Sequence, residues 1–109
     1  MACSAKNYGI SPDETKTLMQ DEQAVLIDVR TKEEYDLEHI EGALLIPLDT
    51  IEDEIISKLP DKTDHLVIYC RSGNRSQEAI RILKTLGFEF LYDLGGIIDW
   101  PYETVRLND

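Results

Sequence analysis

The sequence has few cysteines and no long hydrophobic run. Cys3 and Cys70 are its only cysteines among 109 residues, too few for a disulfide framework. Apolar stretches such as Ala24–Ile27 and Ala43–Pro47 are far shorter than the roughly 20 residues that cross a bilayer. The first residues also lack the apolar core of a signal peptide. We therefore expect a soluble protein of the cytoplasm that has no membrane partner.

Basic residues are also scarce. The chain contains 11 Lys and Arg against 22 Asp and Glu, a formal net charge of −11. A nucleic-acid-binding domain needs a positive surface to neutralise phosphates, so we expect no nucleic-acid partner. The cysteines together with His39 and His65 do not have the spacing of metal ligands. We expect no metal site.

The remaining composition is that of one globular domain. Apolar residues make up 42% of the chain and charged residues 30%, close to globular averages. The sequence contains neither internal repeats nor a segment rich in glycine, proline and serine. We expect a single domain over residues 6–107, preceded by a flexible tail at residues 1–5 that contains Cys3.

Short apolar strands alternate with helical segments along the chain. Ser11 and Thr31 each precede a glutamate by three residues, which is typical of a helix N-terminus. A helix is predicted after Asp49 or Thr50, and another runs from Ser76 to a C-terminal glycine, Gly87. Extended segments are predicted at residues 8–10, 25–29, 43–46, 66–69 and 90–94, the last followed by a Gly95-Gly96 turn. Strands separated by helices predict an α/β fold, with a mainly parallel sheet and helices on both faces.

The acidic character of the chain is reversed around Cys70. Residues 70–84 contain four basic residues and one acidic residue, whereas residues 12–64 are strongly acidic. Cys70 directly follows a buried strand and precedes a helix, so backbone N–H groups and the positive end of the helix dipole converge there. A thiol in that position, close to Arg71 and Arg75, loses its proton readily. Gly73 gives the loop the freedom to curl around the sulfur.

The alternative interpretation is an ordinary buried cysteine at the end of a strand. That interpretation leaves the two arginines, Gly73 and the helix start unexplained. A reactive thiolate in such a loop holds either a phosphoryl group or a sulfane sulfur. Four residues separate Cys70 from Arg75, whereas cysteine phosphatases have five. The tighter loop favours a single sulfur atom over a phosphatase or arsenate reductase site.

Five motifs follow one another along the chain: Leu26-Ile27-Asp28-Val29-Arg30, Glu34-Tyr35, His39-Ile40-Glu41-Gly42-Ala43, Cys70 to Ser76, and Leu94-Gly95-Gly96-Ile97-Ile98-Asp99-Trp100. In this order they resemble the rhodanese family in its single-domain form, over roughly residues 9–105. Glu38 and Glu41 depart from the family pattern, which usually has glycine and proline at these positions. Both lie in a connecting segment outside the loop.

The resemblance implies a three-layer rhodanese-like fold with a five-stranded sheet and an activity that transfers sulfane sulfur. Cys70 is then the catalytic carrier, and the donor is thiosulfate or a persulfide. The acceptor is cyanide, a small thiol or a protein thiol, and no cofactor is implied. A non-catalytic sulfur carrier or a protein-interaction module is the alternative. The implied substrate-binding residues are those of the loop after the cysteine: Arg71, Ser72, Gly73, Asn74, Arg75 and Ser76.

Several other polar residues have structural interpretations. Arg30 is expected to form a local ion pair with Glu34 or Glu38. His39 is expected to pack or hydrogen-bond in a turn, and His65 to be exposed. Two questions stay open: whether Ser76 binds the thiolate or caps the helix, and whether Trp100 and Tyr102 line the substrate entrance or, for Trp100, the core.

Overall fold

Residues 9–21 and 23–107 are described by a computed structural model. The expected tail at residues 1–5, Cys3 and Tyr8 lie outside the described residues. No helix within the described residues is long and apolar enough to cross a membrane. The elements in chain order are α1 (Pro12–Asp21), β1 (Val25–Asp28), α2 (Lys32–Leu37), β2 (His39–Ile40), β3 (Leu44–Leu45), α3 (Ile51–Lys58), β4 (His65–Cys70), α4 (Asn74–Thr85), β5 (Phe90–Gly96) and β6 (Thr104–Val105), with 3₁₀ turns at Leu48–Thr50 and Ile97–Asp99.

Four strands form one parallel sheet, in the order β3-β1-β4-β5. This confirms the expected α/β fold class. The segment predicted as the first strand contributes a single parallel bridge, between Gly9 and Asp93. A small antiparallel sheet pairs β2 with β6, and the sequence had given no sign of it because each strand has only two residues.

Both faces of the parallel sheet are covered, which explains the continuous apolar runs of β1 and β4. Along β4, Ile68 and Cys70 point into a core cluster shared with α3 and α4. Val67 and Tyr69 point into a second cluster on the opposite face, against which Leu18 of α1 packs. This alternation puts Cys70 on the face that α4 covers.

The predicted helix ends are largely confirmed. Ser11 and Thr31 each form the expected reciprocal hydrogen bonds with the glutamate three residues later. Gly87 follows α4 with a φ of +103°, and its N–H and that of the next residue bond back to the last turn. α4 begins at Asn74 rather than at Ser76, because Gly73 adopts a φ of +112° and turns the chain into the helix earlier.

Gly95 and Gly96 do not form the predicted turn. They continue β5 and lie opposite Tyr69 and Cys70 of β4. A register shift between Ile68 and Tyr69 accommodates an extra residue in β5. Glycine tolerates the φ of +92° that this irregularity gives Gly95.

A buried polar group joins β1, β2 and β4. The Arg30 guanidinium bonds both carboxylate oxygens of Asp28 at 2.7 to 3.1 Å and the Glu38 carbonyl at 2.6 Å. The Tyr69 hydroxyl donates to Asp28 at 2.8 Å and accepts from the Ile40 N–H at 3.1 Å. The expected pairing of Arg30 with a glutamate side chain is therefore wrong, because the buried Asp28 carboxylate requires a positive partner.

A second polar contact ties α2 to α4. Arg75 donates two hydrogen bonds to the Glu34 carboxylate, at 2.8 and 3.0 Å. The bond from Arg75 lowers the pKa of Glu34 to about 2, with help from Thr31 and against partial burial. Because Arg75 belongs to the first turn of α4, this contact holds the helix start that follows the Cys70 loop.

We predict that Glu34→Gln lowers the free energy of unfolding by about 1 kcal/mol at neutral pH, as expected for a partly exposed pair. The folded-state pKa of Glu34 is depressed, so its stabilising effect is present above the unfolded-state pKa and is lost on acidification. Urea unfolding of the two proteins between pH 7 and pH 2 measures this difference. It stays constant down to about pH 5 and disappears toward pH 2. A difference that does not depend on pH contradicts the ion pair.

Candidate active site

Cys70 is the last residue of β4, at the carboxyl edge of the parallel sheet where such folds place their ligand sites. Its side chain is a free thiol and is 1% exposed. A group that reacts with the sulfur must therefore be slender enough to enter the loop of residues 70–76.

Backbone donors converge on the Cys70 sulfur. The Gly73 N–H donates to Sγ at 3.0 Å, and the Ser76 N–H donates at 3.4 Å. Both donors lie at the start of α4, a helix of 12 residues, whose dipole presents partial positive charge at this end. Such a site stabilises negative charge on sulfur, whether on a thiolate or on a sulfur atom attached to it.

Gly96 provides the surface on which the loop lies. A β-carbon at this position would lie 2.2 Å from the Arg71 carbonyl oxygen and 2.8 Å from Cα of Ser72. The Ile98 N–H also donates to the Arg71 carbonyl, at 3.4 Å. Gly96 at the end of β5 and Ile98 just after it therefore support the loop, and only glycine permits the close approach at position 96.

Three of the predicted loop residues face solvent: Arg71, Ser72 and Asn74 are exposed. Within residues 9–21 and 23–107, the Arg71 guanidinium makes no ion pair. Its positive charge is consequently available to an anion that approaches Cys70.

Arg75 is one of the loop residues that the resemblance implies bind substrate. Its Nη1 and Nη2 atoms instead donate to the Glu34 carboxylate. That hydrogen bond raises the pKa of Arg75 against the effect of burial, and the nearby Cys70 adds to the increase. Arg75 therefore contributes positive charge close to the sulfur while its donors hold Glu34.

The position of Ser76 answers whether this residue binds the thiolate or caps the helix. Its backbone contacts the sulfur, whereas its hydroxyl lies 2.9 Å from the Gly73 carbonyl and 2.8 Å from Oδ1 of Asp93. The same Asp93 oxygen accepts the Gly95 N–H at 2.9 Å. Sequence reasoning missed Asp93, for which the only signal was an acidic residue two positions before the double glycine.

The other predicted polar residues lie outside the loop. His39 is buried, as expected for a packed residue. Its ring stacks on that of Tyr35, with 3.7 Å between the ring centroids, and its Nδ1 is within hydrogen-bonding distance of the Tyr35 carbonyl oxygen. His65 is only half exposed, because it stacks on Phe90 and lies 2.9 Å from the Tyr92 hydroxyl. Its predicted exposure was therefore wrong. Within the described part of the chain, no group of three or more His, Cys, Asp or Glu residues could hold a metal.

Trp100 and Tyr102 line a cavity of about 710 Å³ between α1 and the segment after the last 3₁₀ turn. Trp100 also packs against the second core cluster. A cavity of about 520 Å³ lies beside α1 and Tyr92. Neither cavity includes a residue of the loop 70–76 in its lining. The two aromatic residues therefore border a space separate from the candidate active site.

The chain is similar to known proteins over most of its length. The chain is 40% identical over 80 residues to the thiosulfate sulfurtransferase PspE of Escherichia coli, covering 73% of this chain and 77% of that protein. It is 42% identical over 103 residues to a probable adenylyltransferase/sulfurtransferase, MoeZ, of Mycobacterium tuberculosis. That match covers 91% of this chain but only 26% of the longer relative.

A solved structure described as a rhodanese with anions, from E. coli, superposes with a TM-score of 0.72 at 36% identity. The superposition covers 76% of this chain and 98% of that one. The family model for the rhodanese-like domain matches residues 11–102, which include the Cys70 loop and the double glycine. The chain belongs to the rhodanese-like domain family.

Proposed function

We propose that this chain is a sulfurtransferase that carries a sulfane sulfur on Cys70 as a persulfide. The observation that carries the proposal is the convergence of the Gly73 and Ser76 N–H groups on the Cys70 sulfur. Among the relatives, PspE is named a thiosulfate sulfurtransferase, which supports the same class of reaction here.

In the first step, the Cys70 thiolate attacks the outer sulfur of thiosulfate or of another sulfane donor. A new bond forms between Sγ and that sulfur, while the sulfur–sulfur bond of the donor breaks. The leaving group, sulfite or a thiolate, takes the electron pair of the broken bond. Negative charge moves from Sγ to the terminal sulfur, and the loop N–H groups stabilise it as donors in an oxyanion hole do.

In the second step, cyanide or an acceptor thiolate attacks the terminal sulfur of the persulfide. The Cys70–sulfur bond breaks, Cys70 leaves as the thiolate, and the product is thiocyanate or a new persulfide. A protein thiol is a further acceptor of the same chemistry. The cycle returns Cys70 to its starting state, so the reaction requires no external oxidant or reductant and no organic cofactor. A free thiol nucleophile fits the reducing environment of the cytoplasm, where we place the reaction.

The loop favours an anionic donor of small size. Cys70 is 1% exposed, which limits access to slender groups such as the outer sulfur of thiosulfate. Arg71 is exposed and unpaired within the described residues, so it can neutralise the rest of the donor. Arg75 remains paired with Glu34 and acts on the anion through its charge alone.

Intact-protein mass spectrometry after incubation with thiosulfate tests the function directly. The wild-type protein is expected to gain the mass of one sulfur atom and to lose it when cyanide is added, with formation of thiocyanate. Cys70→Ser gains no sulfur and forms no thiocyanate, because an alcohol replaces the attacking thiolate. Full thiosulfate:cyanide activity in Cys70→Ser refutes the assignment.

Arg71 allows a test of donor recognition, with Arg81 of α4 for comparison. Arg71→Gln is expected to raise the KM for thiosulfate about fivefold, because an exposed ion contact is worth about 1 kcal/mol. Its kcat stays near the wild-type value. Arg81→Gln, which removes an exposed positive charge paired with Glu78 on the same helix, is the matched control and leaves the KM unchanged. Equal effects of both substitutions would assign the change to the general charge of the chain.

A further inference from the structure

The buried Ser76 hydroxyl has two acceptors and one proton. It lies 2.9 Å from the Gly73 carbonyl oxygen and 2.8 Å from Oδ1 of Asp93, and Ser76 has no exposed surface. One hydroxyl proton makes one full-strength hydrogen bond at a time. An ionised carboxylate is the stronger acceptor of the two, so the proton goes to Asp93.

Asp93 also holds the strand that lies below the loop. Its Oδ1 accepts the Gly95 N–H at 2.9 Å. Cα of Gly95 lies 3.9 Å from the point at which a Gly73 β-carbon would stand. One carboxylate oxygen therefore joins the first turn of α4 to the end of β5, at the place where the two elements meet under the Cys70 loop.

We propose that Asp93 is a positioning residue for sulfur transfer, acting through Ser76 and Gly95 on the donors that surround the Cys70 sulfur. The inference rests on the proposed function and deepens it. By fixing the Ser76 side chain, Asp93 fixes the Ser76 N–H, which donates to Sγ at 3.4 Å. By fixing Gly95, it supports Gly73, whose N–H donates at 3.0 Å.

This role affects the chemical step more than the binding of the donor. The Ser76 contact with Sγ is the longer of the two, so a small tilt of the first turn of α4 removes it. Charge moves between Sγ and the terminal sulfur in both steps, and donors aimed at that charge act on the transition state. Arg71, which meets the rest of the donor, is exposed and makes no ion pair with Asp93.

The test compares Asp93→Ala with Asp93→Asn. Both variants remove the negative charge, but asparagine keeps an oxygen that accepts from Ser76 and Gly95. Sulfur uptake by Cys70 from saturating thiosulfate is measured by intact mass in single turnovers. Asp93→Ala is expected to load at least about tenfold more slowly, with its KM changed less than about twofold, because misplaced groups cost rate. Asp93→Asn loads within about threefold of the wild type, as a retained acceptor implies.

Ser76→Ala provides an independent measurement if Asp93→Ala does not fold. It is expected to slow loading to the extent predicted for Asp93→Ala. Where Asp93→Ala folds, the two effects in the double variant are less than additive, since both act through one contact. Wild-type loading in Asp93→Ala or Ser76→Ala, a change confined to KM, or equal impairment of Asp93→Ala and Asp93→Asn overturns the proposal.

Failure of the proposed function gives a different result. If the wild-type protein takes no sulfur from thiosulfate, the transfer activity is refuted whatever Asp93 does. Alkylation of Cys70 by iodoacetamide requires no sulfur transfer and reports the same loop. Slower alkylation in Asp93→Ala than in Asp93→Asn then supports the positioning role, and equal rates in the two variants refute it.

Discussion

The conformation of the Cys70 loop depends on the missing side chain at Gly96. Gly96 pairs with Cys70 across neighbouring parallel strands, and the loop turns back directly above it. A β-carbon at position 96 would lie 2.2 Å from the Arg71 carbonyl oxygen, a distance at which backbone atoms must move apart. Because the loop packs so closely against Gly96, the N–H groups of Gly73 and Ser76 come within hydrogen-bonding distance of the sulfur.

The charges beside the Cys70 sulfur differ in sign from the net charge of the chain. The chain as a whole carries a net charge of −11, yet the residues beside the sulfur are donors and cations. Arg75 is paired with Glu34, and this pair holds the start of α4, whereas Arg71 is the exposed arginine of the loop. The Asp93 carboxylate lies behind Ser76, where its Oδ1 accepts from the Ser76 hydroxyl. The local field at the sulfur therefore comes from backbone dipoles and the arginines.

The sequence predicted those features that depend on short-range patterns. The capping boxes at Ser11 and Thr31 and the buried β4 strand leading into Cys70 follow from residue types a few positions apart. Features that depend on tertiary contact were missed or wrong. The partner of Arg30 is Asp28 because both are buried together, and Asp93 meets Ser76 only after β5 and α4 pack. The double glycine was expected in a turn, since its role in close packing requires knowledge of the neighbouring loop.

We propose that close packing of the loop on Gly96 makes Cys70 competent for sulfur transfer. The most direct measurement is the single-turnover rate of sulfur uptake from thiosulfate in Gly96→Ala, with Gly42→Ala as the control. Gly42 lies outside the loop and has a φ of +89°, and a β-carbon there would come no closer than 3.6 Å to Met19, so this control adds backbone strain without a collision. We predict a loss of about a hundredfold in Gly96→Ala and a much smaller loss in the control. Sulfur uptake by Gly96→Ala at the wild-type rate would show that the reaction does not depend on this packing.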